Sequence, residues 1–343
     1  MRKCSASVNH RMALIMAVAL ASTMAVNVAT ADTLETVRQR GYIRCGITEA
    51  NPGFSSVNSD GERMGFDIDQ CKTIAVAIFG EAKVEYVPLT ATTAFLTLQS
   101  GGVDMFAGGA TWTYTRDSSL GLNFTYVYYI GGQGFLTRKD KGVKKIADLD
   151  GATICIPQGT TTEQNLADYF SEKGLHYIAL NFSDFNQALL AYWMGRCDAI
   201  TENRAGLAIR AKSFAHSEVH VVLVDQISKE PQAAIVRLGD DRWRDILFWS
   251  FNARIAAEEL GINQANVESQ RQESSNIEVQ RLLGVVDNFG AKLDLPNDWA
   301  FNIIKQVGNY KDMWERNFGV FGLERGINSL WTDGGAMYAV PFR

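Results

Sequence analysis

The stretch Asp104-Met105-Phe106-Ala107-Gly108-Gly109-Ala110-Thr111-Trp112-Thr113-Tyr114-Thr115-Arg116 reads as a strand end that opens into a binding loop. Val103, Met105 and Phe106 are apolar and β-compatible. Gly108-Gly109 breaks the strand, Thr111 and Thr113 offer hydroxyls, and Arg116 follows within a few residues. Glycines, hydroxyls and an arginine at a strand's carboxyl end can build an anion site on an open α/β sheet. Arginine suits a carboxylate because its planar fork donates two parallel hydrogen bonds. Taken alone, the same residues also suit a plain turn followed by a solvated helix.

Outward from this stretch the chain alternates strands and helices. Residues 42–47 form the first expected strand, and the loop 51–61 carries Pro52, Gly53 and Phe54. Gly65-Phe66-Asp67-Ile68-Asp69 opens a helix with Ile68, Cys71, Ala75 and Ile78 on one face. A second strand (84–87) and a helix (95–99) lead to Gly101-Gly102. This grammar predicts a parallel sheet covered on both faces. It recurs as a strand at 152–156, a helix at 163–172, a strand at 177–182 and a helix at 186–194. The second run stops at Gly195-Arg196-Cys197-Asp198, which parallels Gly101-Gly102-Val103-Asp104. Two units of one plan predict two lobes.

Residues 133–138 and 232–237 read as two extended crossings that form a hinge. The expected division is a discontinuous first lobe, 32–134 and 235–343, and a second lobe, 139–231. Beyond a helix at 243–260, a helical tail carrying Trp299, Trp314 and Trp331 exceeds what two lobes need. It is expected to pack on the lobes through its apolar face.

The 343 residues are 46% hydrophobic and 21% charged, enough for a sizeable core. Residues 1–31 read as a secretory signal peptide rather than fold. Arg2, Lys3 and Arg11 form a basic start, an alanine-rich apolar run follows, and Ala29-Thr30-Ala31 is the exit. Its removal leaves 312 residues and moves the formal net charge from −5 to −8. That balance argues against binding nucleic acid or an anionic membrane by charge.

Cys45, Cys71, Cys155 and Cys197 remain, an even number in an exported chain, with three possible pairings. Their positions favour one local bridge in each half, Cys45–Cys71 and Cys155–Cys197. Scattered histidines and the lack of C-x-x-C make a metal centre the weaker reading, and no cofactor motif is present.

Gln158-Gly159-Thr160-Thr161-Thr162-Glu163 ends the second lobe's first strand and opens a helix. Thr160 and Glu163 have capping-box spacing, and free amides at such a start form an anion site. Asp67 and Asp69 are expected at a helix N-terminus, where negative charge is stabilised. Phe54 and Trp112 are candidates for an apolar ligand wall or for ordinary core.

Together GFDID (65–69), TWTYTR (111–116), QGTTTE (158–163) and GRCD (195–198) resemble the polar amino acid-binding family of ABC-transporter solute-binding proteins. The tail, with Pro296-Asn297-Asp298-Trp299 and Leu330-Trp331-Thr332, is similar to that of the long, general L-amino acid-binding members. The resemblance covers nearly all of the mature chain. It implies an α/β fold, a two-lobed type II periplasmic-binding-protein clamp with a helical C-terminal extension. It also implies a small carboxylate or amino acid ligand, a membrane permease as partner, a monomer, and no catalysis.

By the resemblance, Arg116 grips the ligand's α-carboxylate, assisted by Thr111, with Thr160 and Thr161 from the second lobe; Gly109 lies in the same loop. The family's aspartate for the α-ammonium falls here at Asn203, which brings no counter-charge. Either Glu202 supplies the anion or the ligand's amine is absent, substituted or otherwise placed. Competing readings are an enzyme on the same fold that dehydrates cyclic carboxylic acids, with Glu202 as its acid, and an exported ligand-sensing module of a receptor.

Overall fold

The computed structural model describes residues 32–213 and 216–343, so the expected signal peptide lies outside the described residues. Its strands are β1 (Ile43–Ile47), β2 (Ser56–Val57), β3 (Arg63–Met64), β4 (Val84–Pro88), β5 (Met105–Phe106) and β6 (Leu122–Gly131). They continue as β7 (Gln133–Arg138), β8 (Ala152–Pro157), β9 (Tyr177–Phe182), β10 (Ala199–Asn203), β11 (His220–Val222) and β12 (Glu230–Arg237). One sheet runs β4-β1-β5-β12-β6 and the other β11-β7-β10-β8-β9. In each, four strands run in one direction and one, β12 or β7, runs antiparallel between two of them.

The segment 133–138 pairs along β10 over its whole length, so it is a strand of the second sheet rather than a bare crossing. The chain passes between sheets at Gly132 on the way out and between Val222 and Glu230 on the way back. Gly131 must lack a side chain there, since a Cβ would meet Asn203 Nδ2 at 2.3 Å. Asn328 of the tail brackets the same point, accepting from Ile130 N at 2.7 Å and donating to Ile130 O at 2.9 Å.

The helix Phe66–Phe79 is buried almost all round, more than its one expected apolar face. β1 covers one side, and the tail helix Trp299–Gln306 with Asp241–Glu259 covers the other. The tail therefore joins the first lobe's core: Trp299, Ile303, Ile304, Met313, Trp314 and Phe318 are all buried. Each such side chain stabilises by roughly 2 kcal/mol. Trp331, by contrast, stays exposed. Asp69 ties the tail down, accepting from Arg316 Nη2 and Asn317 Nδ2 at 2.7 Å each.

Disulfides join Cys45 to Cys71 and Cys155 to Cys197, with Cα–Cα separations of 6.0 and 5.7 Å.

Candidate functional site

Both sheets turn their strand ends toward one interlobe cavity of about 380 Å³, within the range of small-molecule sites. Arg116, Thr111, Gly109 and Phe54 line it from the first lobe, and Thr160, Thr161 and Asn203 from the second. Trp112 does not. Thr111 bridges to Gln232 and lines the cavity, whereas the Trp112 ring turns to stack on Phe124, with ring centroids 5.5 Å apart. The expectation of Trp112 as a ligand wall is thus corrected: it is partly buried and packs against the core beside β6. Phe54 reaches the cavity only at its edge, being packed on Tyr129 and Phe318 at 5.2 and 4.8 Å.

Arg116 sits in the short helix Tyr114–Ser119, capped by the Thr113 hydroxyl. Its Nη1 donates to Thr111 O at 2.9 Å, and the guanidinium lies 5.1 Å over the Phe95 ring. Burial lowers its pKa, with Glu230 pulling the other way. The loop before it is held from beneath. Gly109 N donates to Tyr128 Oη at 3.2 Å, and Tyr128 donates to the wholly buried Asp67 at 2.9 Å. Burial pushes the Asp67 carboxyl up to about 8, so the charge expected at that helix start is absent at neutral pH.

Across the cavity, Thr160 caps the helix Thr161–Lys173, accepting from Glu163 N at 3.3 Å. Glu163 in turn accepts from Gly159 N at 2.9 Å, which withdraws that amide from any ligand. The first-turn amides of Thr161 and Thr162 have no intrahelical acceptor. Thr161 Oγ1 lies 3.4 Å from Thr111 Oγ1, so the two lobes meet at this point.

Asn203 departs from its expected part. Its Oδ1 accepts from Ala205 N at 3.1 Å, Gly206 N at 3.3 Å and Tyr129 Oη at 3.4 Å. Those donors fix the amide's orientation, and Nδ2 is left buried and without a partner among the described residues. Asn203 thus offers a donor, not the acceptor that an ammonium needs.

Arg210, Glu230 and Gln232 are among the lining residues that the sequence reading did not name as site residues. Arg210, only 4% exposed, crosses to the first lobe, donating to Asn51 Oδ1 at 2.9 Å and Ala50 O at 2.8 Å. Nothing local marks it out, because its place depends on helix Arg204–Ser213 meeting the 50–55 loop. Glu230 and Gln232 come from β12, and polar residues in an otherwise apolar crossing were the available signal. Burial raises Glu230 to about 7, while Ser228, Arg116 and the nearby Asn203 amide oppose it. Glu202 is likewise raised by burial, with Arg210 opposing.

Comparison with known proteins accords with this geometry. Residues 43–265 match the family model described as bacterial extracellular solute-binding proteins, family 3. The chain is 44% identical to the glutamate/glutamine/aspartate/asparagine-binding protein of Rhodobacter capsulatus, over 95% of this chain and 97% of that one. It is also 44% identical to the general L-amino acid-binding periplasmic protein of Rhizobium johnstonii, over 92% and 94%. An ABC transporter periplasmic binding protein from Brucella ovis, solved with glutathione bound, superposes with a TM-score of 0.88 at 44% identity, over 91% of this chain and all of that one. With two lobes, an interlobe cavity and a match across most of its length, the chain belongs to the bacterial extracellular solute-binding proteins, family 3.

Proposed function

We propose that the protein is the periplasmic component of an ABC importer that captures an amino acid or related small carboxylate between its lobes. Arg116 anchors the carboxylate, the Thr111 and Thr161 hydroxyls and the 161–162 amides close over it, and the closed form docks on a membrane permease. The observation that carries this reading is the partly buried Arg116 guanidinium, which faces a helix N-terminus across a cavity of about 380 Å³. Both features favour an anion at one place. A cleaved leader ending at Ala31 delivers the protein as a monomer, and its acidic balance disfavours nucleic acid.

The ligand panel follows from the relatives: the four amino acids named for the Rhodobacter capsulatus protein, other L-amino acids, and glutathione. Native mass spectrometry of freshly purified protein reads a retained ligand, and calorimetry ranks the panel. Arg116→Ala should weaken binding by at least about 100-fold, roughly 3 kcal/mol, with the melting temperature unchanged. Unchanged affinity refutes the anchor.

Binding without turnover completes the proposal. Glu202 is a cleft acid with a raised pKa, as a dehydratase reading would need. Incubation with prephenate discriminates, since product formation would move the protein to that class.

A further inference from the structure

Resting on the amino acid-binding reading above, the cleft's unpaired polar atoms and the two glutamates beside them specify which groups receive the ligand's amine. Glu202 Oε2 and Gln232 Oε1 are buried acceptors without a donor among the described residues, and Asn203 Nδ2 is a buried donor that lies near the Glu230 carboxyl but makes no well-formed hydrogen bond. All three residues line the cavity, and Gln232 and Asn203 are more than nine-tenths buried. Buried polar groups are costly unless paired, so these atoms define the complement that a ligand brings. We propose that Glu202 and Glu230 receive the ligand's ammonium, and that the Asn203 amide donates to a ligand oxygen.

The acid has moved rather than vanished. Glu202 precedes Asn203 on β10, and Glu230 enters from the hinge end of β12, where Asn165 Nδ2 of the second lobe donates to its Oε1 at 3.3 Å. Glu202, Glu230 and Arg116 line the same cavity, and the charges of Glu202 and Arg116 both act on the Glu230 carboxyl, in opposite directions. A cation beside Glu230 would therefore sit near the carboxylate anchor, as the compact head of an amino acid requires.

The other charged groups of the cavity are engaged. Glu49 pairs with Arg63 at 2.8 Å, and Asp184 caps Gln187 N at 3.0 Å. Arg210 faces Glu202 from its own helix and Arg116 faces Glu230 from Tyr114–Ser119. The Tyr129 hydroxyl, raised by burial, stays protonated as a donor to Asn203. Glu230, titrating near 7, has its pKa lowered by an arriving ammonium, so binding releases a proton and tightens as pH rises through 7.

Calorimetry with L-glutamate, L-glutamine and 2-oxoglutarate tests this in buffers of different ionisation enthalpy. Glu230→Gln and Glu202→Gln should each weaken the two amino acids at least tenfold and change 2-oxoglutarate less than threefold. Proton release at pH 7 should disappear in Glu230→Gln. Asn203→Asp keeps the backbone-capping oxygen but adds a third carboxylate, and it should weaken the amino acids rather than tighten them. Tighter binding by Asn203→Asp, or equal losses for amino acids and 2-oxoglutarate at unchanged melting temperature, overturns the inference alone. A wild-type protein that binds none of these, nor any other amino acid or small carboxylate, overturns the functional reading and this inference with it.

Discussion

Each lobe has one five-stranded sheet and one disulfide, yet the cores behind the sheets differ in depth. The first lobe has a small cluster around Phe106 and Phe124 on one face of its sheet, and on the other a core that runs from β1 through Phe66–Phe79 and Asp241–Glu259 into the tail. The second lobe has two smaller clusters, one on each face of its sheet, around Tyr192 and around Phe170. The difference bears on the division of labour in a clamp. The deep lobe can hold Arg116, Gly109 and a buried Asp67 in one arrangement, whereas the lighter lobe contributes a capped helix start and Asn203. Closure joins them through a few polar contacts, Thr111–Thr161 and Arg210 with the 50–51 backbone loop.

The largest test falls on the deep lobe. Asp67 has a folded pKa of about 8 against an ordinary value of 3.8, with burial as the main cause. Because the folded state holds that proton more tightly, its contribution is complete below about pH 4 and is lost as pH rises through about 8. The slope is about 1.4 kcal/mol per pH unit within that window. Asp67→Asn should flatten the curve, gaining most over wild type at pH 8; melts at pH 4, 6 and 8 read it. A wild-type profile without this slope would show that the deep core carries no such burden.

Next come the disulfides. Their sequence separations of 42 and 26 residues correspond to about 4 kcal/mol for Cys155–Cys197 and about 3.5 kcal/mol for Cys45–Cys71. Replacing Cys155 and Cys197 by serine should also split the calorimetric transition, because the shallow lobe then melts first. Replacing Cys45 and Cys71 should lower one transition without splitting it. The reverse pattern would break the comparison of the lobes.

The smallest effect is expected at the latch. Asn51→Ala removes one neutral acceptor from Arg210, worth about 1 kcal/mol, or roughly fivefold in affinity. Melting temperature should hold, while X-ray scattering shows a more open liganded form. An unchanged affinity would leave Thr111–Thr161 as the contact that matters for closure.

Much of this was legible locally. Strand ends followed by glycines, the helix start at Thr160 and the approach of Thr111 to Arg116 depend on backbone geometry over a few residues. The direction of Trp112 was set instead by its stacking on Phe124 of β6, since residue 112 lies outside the strands and has no alternation to follow. Arg210 was not legible, because its partners Asn51 and Ala50 lie about 160 residues away. Nor was the state of Asn203: sequence shows an amide, and only the Ala205 and Gly206 amides decide which end of it faces the ligand.

The order of residues alone determined the αβ alternation, the two repeated units, the cysteine complement and an arginine placed after a strand end, because those follow from short-range periodicity and chain reach. Tertiary structure decided which carboxyls carry charge, which polar atoms stay unpaired and where the tail lies. Those outcomes depend on desolvation and on contacts between segments far apart in the chain, and no local pattern encodes either.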